Sequence, residues 1–206
     1  EANDTASKFY HYLLLKHASG KEALHYLTNE RKINLETIDQ FNLGFAPDIP
    51  DVLSKFLTTK KSFKPDELEK AGLIVKARGR NFDRFRGRVI FPLYDHRNVC
   101  VGLAGRILPS IEAKLPKDKH LGKYVNSPET PIYHKSKVLY GLNITKFDIK
   151  KEDTALVVEG DIDFLSVWQN GIKNIVAIKG TALTEEQVKV LSRFCQTLIL
   201  ALDSDI

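Results

Sequence analysis

Methionine is absent from this chain, cysteine occurs only twice, and no long hydrophobic run is present. No stretch approaches the roughly 18 apolar residues of a membrane span or the apolar core of a secretory signal, so we expect no membrane contact and a cytoplasmic location. Cys100 and Cys195 stand apart among apolar residues, which excludes a paired zinc motif and favours core packing in a reducing compartment. Because the chain lacks Met and ends just after Asp205 in a strand-end pattern, we expect a segment of a longer protein.

Positive charge is concentrated in one segment. The 206 residues carry a formal net charge of +5, and residues 76–88 alone contain six basic residues and one acidic residue, a net charge as large as that of the whole chain. Phe82 and Phe85 alternate with these basic residues. Such a segment suits a polyanion whose bases stack on aromatic rings. A solvated basic loop that leads into a strand explains it equally well, so both interpretations stay open.

The pattern changes from helices to strands along the first 150 residues. Short amphipathic stretches up to residue 71 predict helices, and apolar runs at 89–94 and 99–105 predict a hairpin. Residues 107–122 are polar and Lys-rich, which predicts an exposed loop. A charged stretch at 146–153 predicts a domain boundary. We therefore expect an N-terminal mixed α+β subdomain over 1–150, which contains the basic segment.

Beyond this boundary strands and helices alternate regularly. Strands are predicted at 155–158, 174–178 and 197–202, with one helix in each connection. This spacing predicts a parallel sheet with right-handed crossovers. The predicted fold class is α/β, with a Rossmann-like parallel-sheet domain over 151–206 that is incomplete at its C-terminal end.

Two acidic clusters follow strands of this predicted sheet. Glu159 and Asp163 follow the first strand, and Asp203 and Asp205 follow the third. Ligands bind beyond the carboxyl ends of strands in open α/β sheets, and Mg²⁺ prefers oxygen ligands and substrate phosphates. Each acid alone is explained equally well as a helix cap or a partner of the helix dipole. Their recurrence at two strand ends of one unit favours a metal site for phosphate chemistry.

The two clusters resemble the signatures of the Toprim domain, Glu-Gly-x-x-Asp at 159–163 and Asp-x-Asp at 203–205. Further segments resemble those of bacterial DnaG-type DNA primases in the same order along nearly the whole chain: 42–47, 82–92, 105–106, 123–130, 133–135 and 139–142. The chain departs from this pattern at Asp161-Ile162, where relatives often have Tyr-Met, and so carries an additional carboxylate.

The resemblance implies the catalytic RNA polymerase core of a DNA primase. Such an enzyme makes short RNA primers on single-stranded DNA from nucleoside triphosphates during replication, by metal-dependent nucleotidyl transfer. It implies Mg²⁺ or Mn²⁺ at the acidic site, and zinc only in an N-terminal module outside this chain. The implied partners are the DNA template, NTPs and the RNA primer, with the replicative helicase and single-strand binding protein contacting regions outside this chain.

The resemblance also implies roles for individual residues. Glu159 is the expected catalytic residue, which binds metal or helps deprotonate the attacking hydroxyl. The expected metal ligands are Glu159, Asp163, Asp203 and Asp205. The expected nucleotide-phosphate ligands are Arg106, Lys123 and Lys135, and the expected DNA contacts are Arg84, Arg86 and Arg88.

Two other functions are compatible with a Toprim domain. A nuclease or topoisomerase is one, although a topoisomerase needs a nucleophilic Tyr that nothing in this chain singles out. A non-enzymatic DNA-binding recombination mediator is the other. Such a mediator would lack the Asn-Ser-Pro-Glu-Thr segment at 126–130, so this alternative ranks lower.

Overall fold

The structure is a computed structural model that describes residues 1–77, 79–116, 121–180 and 182–203. Within these ranges no helix has the length and apolar character needed to cross a membrane. The predicted metal ligand Asp205 lies outside the described residues.

The chain up to residue 70 is mainly helical, as the sequence predicts. Its elements are α1 (Ala2–Lys16), a 3₁₀ turn (Ala18–Gly20), α2 (Lys21–His25), a π-helical turn (Tyr26–Glu30), α3 (Leu35–Gln40), β1 (Gly44–Ala46), α4 (Val52–Lys61) and α5 (Pro65–Lys70). Strands then dominate: β2 (Ile74–Ala77), β3 (Arg80–Asp83), β4 (Arg88–Tyr94), β5 (Cys100–Ile107), the short helix α6 (Pro109–Glu112) and β6 (Tyr124–Asn126).

A four-stranded antiparallel sheet with the order β1-β4-β5-β6 forms the centre of this part. The predicted hairpin is confirmed as β4 and β5, which pair with Phe91 opposite Ala104. β5 is buried along its whole length, so the sheet is covered on both faces. β2 and β3 form a separate two-stranded hairpin that contains much of the basic segment.

The C-terminal part alternates helices and strands. Its elements are α7 (Leu142–Glu152), β7 (Thr154–Val158), α8 (Asp161–Gln169), β8 (Ile175–Ala177), α9 (Glu185–Leu191) and β9 (Thr197–Leu200). β7 pairs in parallel with both β8 and β9, which confirms the predicted parallel sheet. In the order β8-β7-β9 the strand β9 is an edge, and its Ile199 and Leu200 are 53% and 56% exposed.

The predicted domain boundary falls inside α7 rather than in a linker. The hydrophobic core also continues across it, because the Phe164 ring of α8 packs on Phe41 and Tyr140 with 5.1 Å between ring centroids in both cases. The division into 1–150 and 151–206 therefore stays a prediction.

Of the two interpretations of the basic segment, stacking on bases cannot involve Phe85. Phe85 is 1% exposed and packs in the core with residues of α1 and α4, so its ring is not available to stack on a base. Cys100 and Cys195 are free and buried, as expected, and burial raises the pKa of Cys100 to about 12.

Candidate functional site

Three of the four predicted metal ligands line one cleft of about 370 Å³ at the carboxyl edge of the parallel sheet. Glu159 directly follows β7, Asp163 lies in the first turn of α8, and Asp203 follows β9. They converge because β7 and β9 are parallel neighbours, so their carboxyl ends meet at the same edge. The remaining lining residues are Tyr124, Asn126, Gly160, Asp161, Lys179 and Gly180.

Close backbone contacts position these acids. The Glu159 Oε1 atom accepts a hydrogen bond of 3.0 Å from the Asp203 backbone N–H, which ties the two strand ends together. A Cβ atom at Gly160 would lie 2.5 Å from the Asp163 Oδ2 atom. The absence of a side chain at Gly160 therefore leaves room for the Asp163 carboxylate, which a larger residue would force to shift.

The donor chemistry of this cleft fits a hard divalent cation. Its acidic side chains offer carboxylate oxygens, the ligands that Mg²⁺ prefers. Within the described ranges, no three His, Cys, Asp or Glu side chains stand at mutual ligand spacing. Mg²⁺ is usually held by one or two carboxylates together with waters and substrate phosphates, so the described acids are sufficient for such a site.

A buried ion pair lies in the same cleft. The Lys179 Nζ atom donates to both carboxylate oxygens of Asp161, and the two side chains are 6% and 1% exposed. Burial lowers the pKa of Lys179, and the neighbouring Asp161 charge opposes that effect. Asp161 therefore has a cationic partner, whereas Glu159, Asp163 and Asp203 form no ion pair with any residue that the structure describes.

Arg106 lies beside the cleft and has unused donors. Its guanidinium carbon is 5.0 Å from the centre of the Tyr26 ring and 5.8 Å from that of Tyr124, which lines the cleft. The side chain is buried, and within the described part of the chain its Nε and Nη1 atoms have no hydrogen-bond partner. Buried donors without a partner are unfavourable, so this guanidinium is suited to an anion that enters the cleft.

Arg31 is a basic residue of this region that the sequence patterns did not indicate. Its Nε atom donates to the Tyr26 hydroxyl at 2.6 Å, and its guanidinium carbon lies 5.3 Å from the same ring. Arg31 and Arg106 thus contact one aromatic side chain. Nothing local in the sequence marks Arg31, because its proximity to Arg106 arises only from folding.

The two predicted phosphate-binding lysines are exposed. Lys123 directly precedes β6, whose Tyr124 and Asn126 line the cleft. The Lys135 backbone N–H donates to Glu129 at 2.8 Å, and the Lys135 charge contributes to the lowered pKa of Lys179. Among the described residues, neither Lys123 nor Lys135 forms an ion pair.

The three predicted DNA contacts have different environments. Arg84 donates from Nε to the Asn126 carbonyl at 3.2 Å, and burial lowers its pKa. Arg86 pairs with Asp48 at 2.9 Å and keeps 41% of its side chain exposed. Arg84 thus contacts β6, whereas Arg86 is held by Asp48 at a partly exposed position.

The prediction that Arg88 contacts DNA is corrected. Arg88 is 4% exposed, and its guanidinium donates to three backbone carbonyls, those of Gly105, Gly122 and Lys123. Because these bonds hold the chain before β6 against β5, Arg88 is a structural residue.

The geometry of the parallel sheet and its acidic edge agrees with a known class of domain. Residues 156–206 match a family model described as Toprim-like, and residues 9–146 match the model of the DNA primase catalytic core, N-terminal domain. The fold and the site thus define a protein with a Toprim domain.

DNA primases and their solved domains are similar to this chain over nearly its whole length. The DNA primase of Geobacillus stearothermophilus is 43% identical over 206 residues, which cover 100% of this chain and 32% of that protein. The RNA polymerase domain of Mycobacterium tuberculosis primase DnaG matches with a TM-score of 0.88 and 36% identity, over 99% of this chain and 65% of that one. A DnaG primase catalytic domain bound to ssDNA matches with a TM-score of 0.83 and 34% identity, over 99% of this chain and 62% of that one.

The chain belongs to the family of DnaG-type DNA primase catalytic cores, as the sequence motifs predict. It spans about a third of the length of the curated relatives that it matches. Family membership implies the use of a divalent metal in general. The match over 9–146 favours a primase over the other Toprim proteins considered from the sequence.

Proposed function

We propose that this chain contains the catalytic site of a DNA primase that makes short RNA primers on single-stranded DNA from nucleoside triphosphates. The observation that supports this most is the single cleft that Glu159, Asp163 and Asp203 line, with donors of Arg106 beside it that have no partner among the described residues. Carboxylates that can hold a cation and a guanidinium that can hold phosphate are the two requirements of nucleotidyl transfer.

The acidic residues are the proposed metal ligands. Glu159, Asp163 and Asp203 would hold Mg²⁺ or Mn²⁺, together with Asp205 as the sequence motif predicts. When bound, such an ion stabilises negative charge on the attacking and leaving oxygens of an in-line phosphoryl displacement. Glu159 is the proposed catalytic residue, because its carboxylate lines the cleft directly after β7 and is fixed by the Asp203 backbone N–H.

The basic residues are the proposed phosphate ligands. Arg106 can fork onto two phosphate oxygens, whereas Lys123 and Lys135 act as point charges on long, adaptable side chains. We add Arg31 to the proposed phosphate ligands, because it contacts the same Tyr26 side chain as Arg106. The four charges would orient the triphosphate toward the acidic edge.

Arg84 and Arg86 are the proposed contacts of the template strand. A related DnaG catalytic domain has been solved with ssDNA bound, which supports a DNA-binding surface on the catalytic domains of this family. For the whole protein, we extend the proposal to a cytoplasmic, nucleoid-associated enzyme. It would contact the replicative helicase and single-strand binding protein and hold zinc in an N-terminal module, all through regions outside this chain.

The test replaces Glu159 by Gln in the complete catalytic core and measures primer synthesis with Mg²⁺ on a single-stranded template. We expect synthesis to fall by a factor of about 10² or more, because Gln removes the charge that binds metal or accepts a proton. Glu152→Gln at the exposed end of α7 removes the same charge away from the cleft and should leave synthesis unchanged. Undiminished synthesis by Glu159→Gln would refute the proposal.

A further inference from the structure

The Asp161–Lys179 pair differs from every other ion pair in the part of the chain that the structure describes. Its side chains are 1% and 6% exposed, whereas each other pair has a partner that is at least 45% exposed. Burying an ion pair removes the hydration of both charges, and only close, well-aligned contacts between them offset that cost in free energy. Both residues line the proposed metal cleft, which suggests that the pair contributes to the function of that cleft.

Lys179 holds the first acidic motif at two points. Its backbone N–H donates to the Glu159 carbonyl at 3.1 Å, and its Nζ atom donates to the Asp161 carboxylate. Glu159 directly follows β7 and Asp161 begins α8, while Lys179 follows β8. One residue from the neighbouring strand therefore clamps both sides of the turn that carries Glu159.

Lys179 has a backbone conformation that favours glycine, which indicates that its side chain is needed at this position. Its φ of +55° lies in the left-handed region, which glycine adopts freely and which other residues rarely adopt. The ammonium also lies near two aromatic rings, 5.8 Å from the centre of Phe91 and 5.5 Å from that of Tyr140. A long cationic side chain is thus held at a position where glycine would fit the backbone better.

We propose that Asp161 and Lys179 form a positioning pair that fixes Glu159 and Asp163 for metal binding and keeps Asp161 itself out of the ligand set. Both Asp161 oxygens face the ammonium, so this carboxylate is neutralised inside the cleft, while Glu159, Asp163 and Asp203 remain available to a cation. This inference rests on the proposed function, since it assumes that those acids bind metal.

The test measures Mn²⁺ binding without nucleotide, by the electron paramagnetic resonance signal of free Mn²⁺, together with the thermal midpoint of unfolding. Lys179→Met and Asp161→Asn should each weaken Mn²⁺ binding by about 10-fold or more, the range seen when outer-shell partners of metal ligands are removed. Lys179→Arg, which keeps the charge, should retain binding within about three-fold of the parent. Lys189→Met, which removes an exposed lysine of α9, is the matched control and should change neither quantity.

The double variant Asp161→Asn/Lys179→Met separates positioning from general stability. Removing both charges should recover much of the thermal midpoint, because no buried charge is left without a partner, yet Mn²⁺ binding should stay weak because the clamp is lost. Recovery of both quantities, or single variants with unchanged Mn²⁺ binding, would show a purely structural pair. Tighter binding by Lys179→Met would show that the released Asp161 carboxylate joins the ligand set and that the other acids bind metal without the clamp, which overturns the positioning role.

Glu159→Gln in the same assay separates this inference from the proposed function. If Glu159→Gln weakens Mn²⁺ binding and Lys179→Met does not, only the positioning pair is refuted. If Mn²⁺ binding by the parent protein does not depend on Glu159, the metal site of the proposed function fails, and the positioning pair fails with it.

Discussion

Neighbouring arginines of the basic segment have opposite environments. Arg86 is partly exposed and Arg84 is half-buried beside β6, whereas the Arg88 guanidinium is enclosed by backbone carbonyls. Charge in the sequence therefore does not by itself identify a DNA contact. The surroundings of each guanidinium decide whether it can reach a phosphate.

Replacing Arg84 and Arg86 together by Ala should weaken binding of single-stranded DNA. The slope of log K against log salt is negative, and each phosphate contact on a single strand contributes roughly 0.7 to its magnitude, so we expect that magnitude to fall by about 1.4. Fluorescence anisotropy of a labelled oligonucleotide over a salt series measures both quantities.

Two controls accompany this measurement. Arg97→Ala removes an exposed arginine that pairs with Asp95 in the β4–β5 turn, and it should leave the slope unchanged. Arg88→Met should lower stability by about 2 kcal/mol, because buried carbonyls lose their donor, with little effect on the slope. An unchanged affinity and slope in the Arg84/Arg86 variant would mean that the segment is only a solvated surface.

At the scale of elements, the helix α4 is capped by a residue of a distant strand. Its own N-cap, Asp51, makes no side-chain capping bond. The Asp83 carboxylate of β3 instead accepts from the backbone N–H groups of Leu53 and Ser54 at 2.7 and 2.9 Å. Asp83 thereby joins the basic hairpin to the helical part of the chain.

Asp83→Ala should lower the free energy of unfolding by about 2 kcal/mol, because two N–H groups of the first helical turn lose their acceptor. Asp83→Asn keeps one acceptor oxygen and should lower it less. Asp66→Ala removes an exposed acid that pairs with Lys76 and should have no measurable effect. Urea unfolding at neutral pH measures the three variants, and equal stability of Asp83→Ala and the parent would contradict the capping role.

The same carboxylate predicts a pH dependence. Burial raises the pKa of Asp83 above its ordinary value of 3.8, although the N–H donors oppose this. The folded protein therefore retains this proton to higher pH than the unfolded chain. Relative to Asp83→Asn, the stability of the parent should fall as the pH rises from 3.8 through the raised pKa. If the difference in stability between the parent and Asp83→Asn is constant over pH 3 to 7, the raised pKa of Asp83 is contradicted.

At the scale of the whole molecule, the helical part and the parallel-sheet part share one core. The Phe41 ring is in edge contact with Phe164 at 5.1 Å and with Trp168 at 4.9 Å between ring centroids. The Gln169 side chain also bonds to the backbone of Lys32 and Asn34. These contacts predict that the described parts unfold together.

Phe164→Ala should lower the free energy of unfolding by about 3–5 kcal/mol, because it leaves a cavity between Phe41 and Tyr140. Trp168 fluorescence and far-ultraviolet circular dichroism should still report one coincident transition. Phe147→Ala, whose ring is 72% exposed on α7, is the control and should change stability little. Two separated transitions in the parent protein would instead support independent domains on either side of residue 150.

Part of the fold and site could be predicted because the signals are local. The β4–β5 hairpin follows from two apolar runs around a polar turn, and the parallel sheet from the alternation after residue 153. The meeting of Glu159 and Asp203 then follows from strand direction alone. The burial of Phe85 could not be predicted, because the residues on either side of it in the sequence, Arg84 and Arg86, are charged.

By itself the sequence determined the order of elements, the acidic strand ends and the family, since all three depend on residues close together along the chain. Only the tertiary structure decided that Arg88 faces inward, that Arg31 shares a ring with Arg106, and that Lys179 neutralises Asp161. The physical reason is that burial and charge pairing depend on which distant segments come into contact. That choice is made by the packing of the whole core rather than by any local pattern.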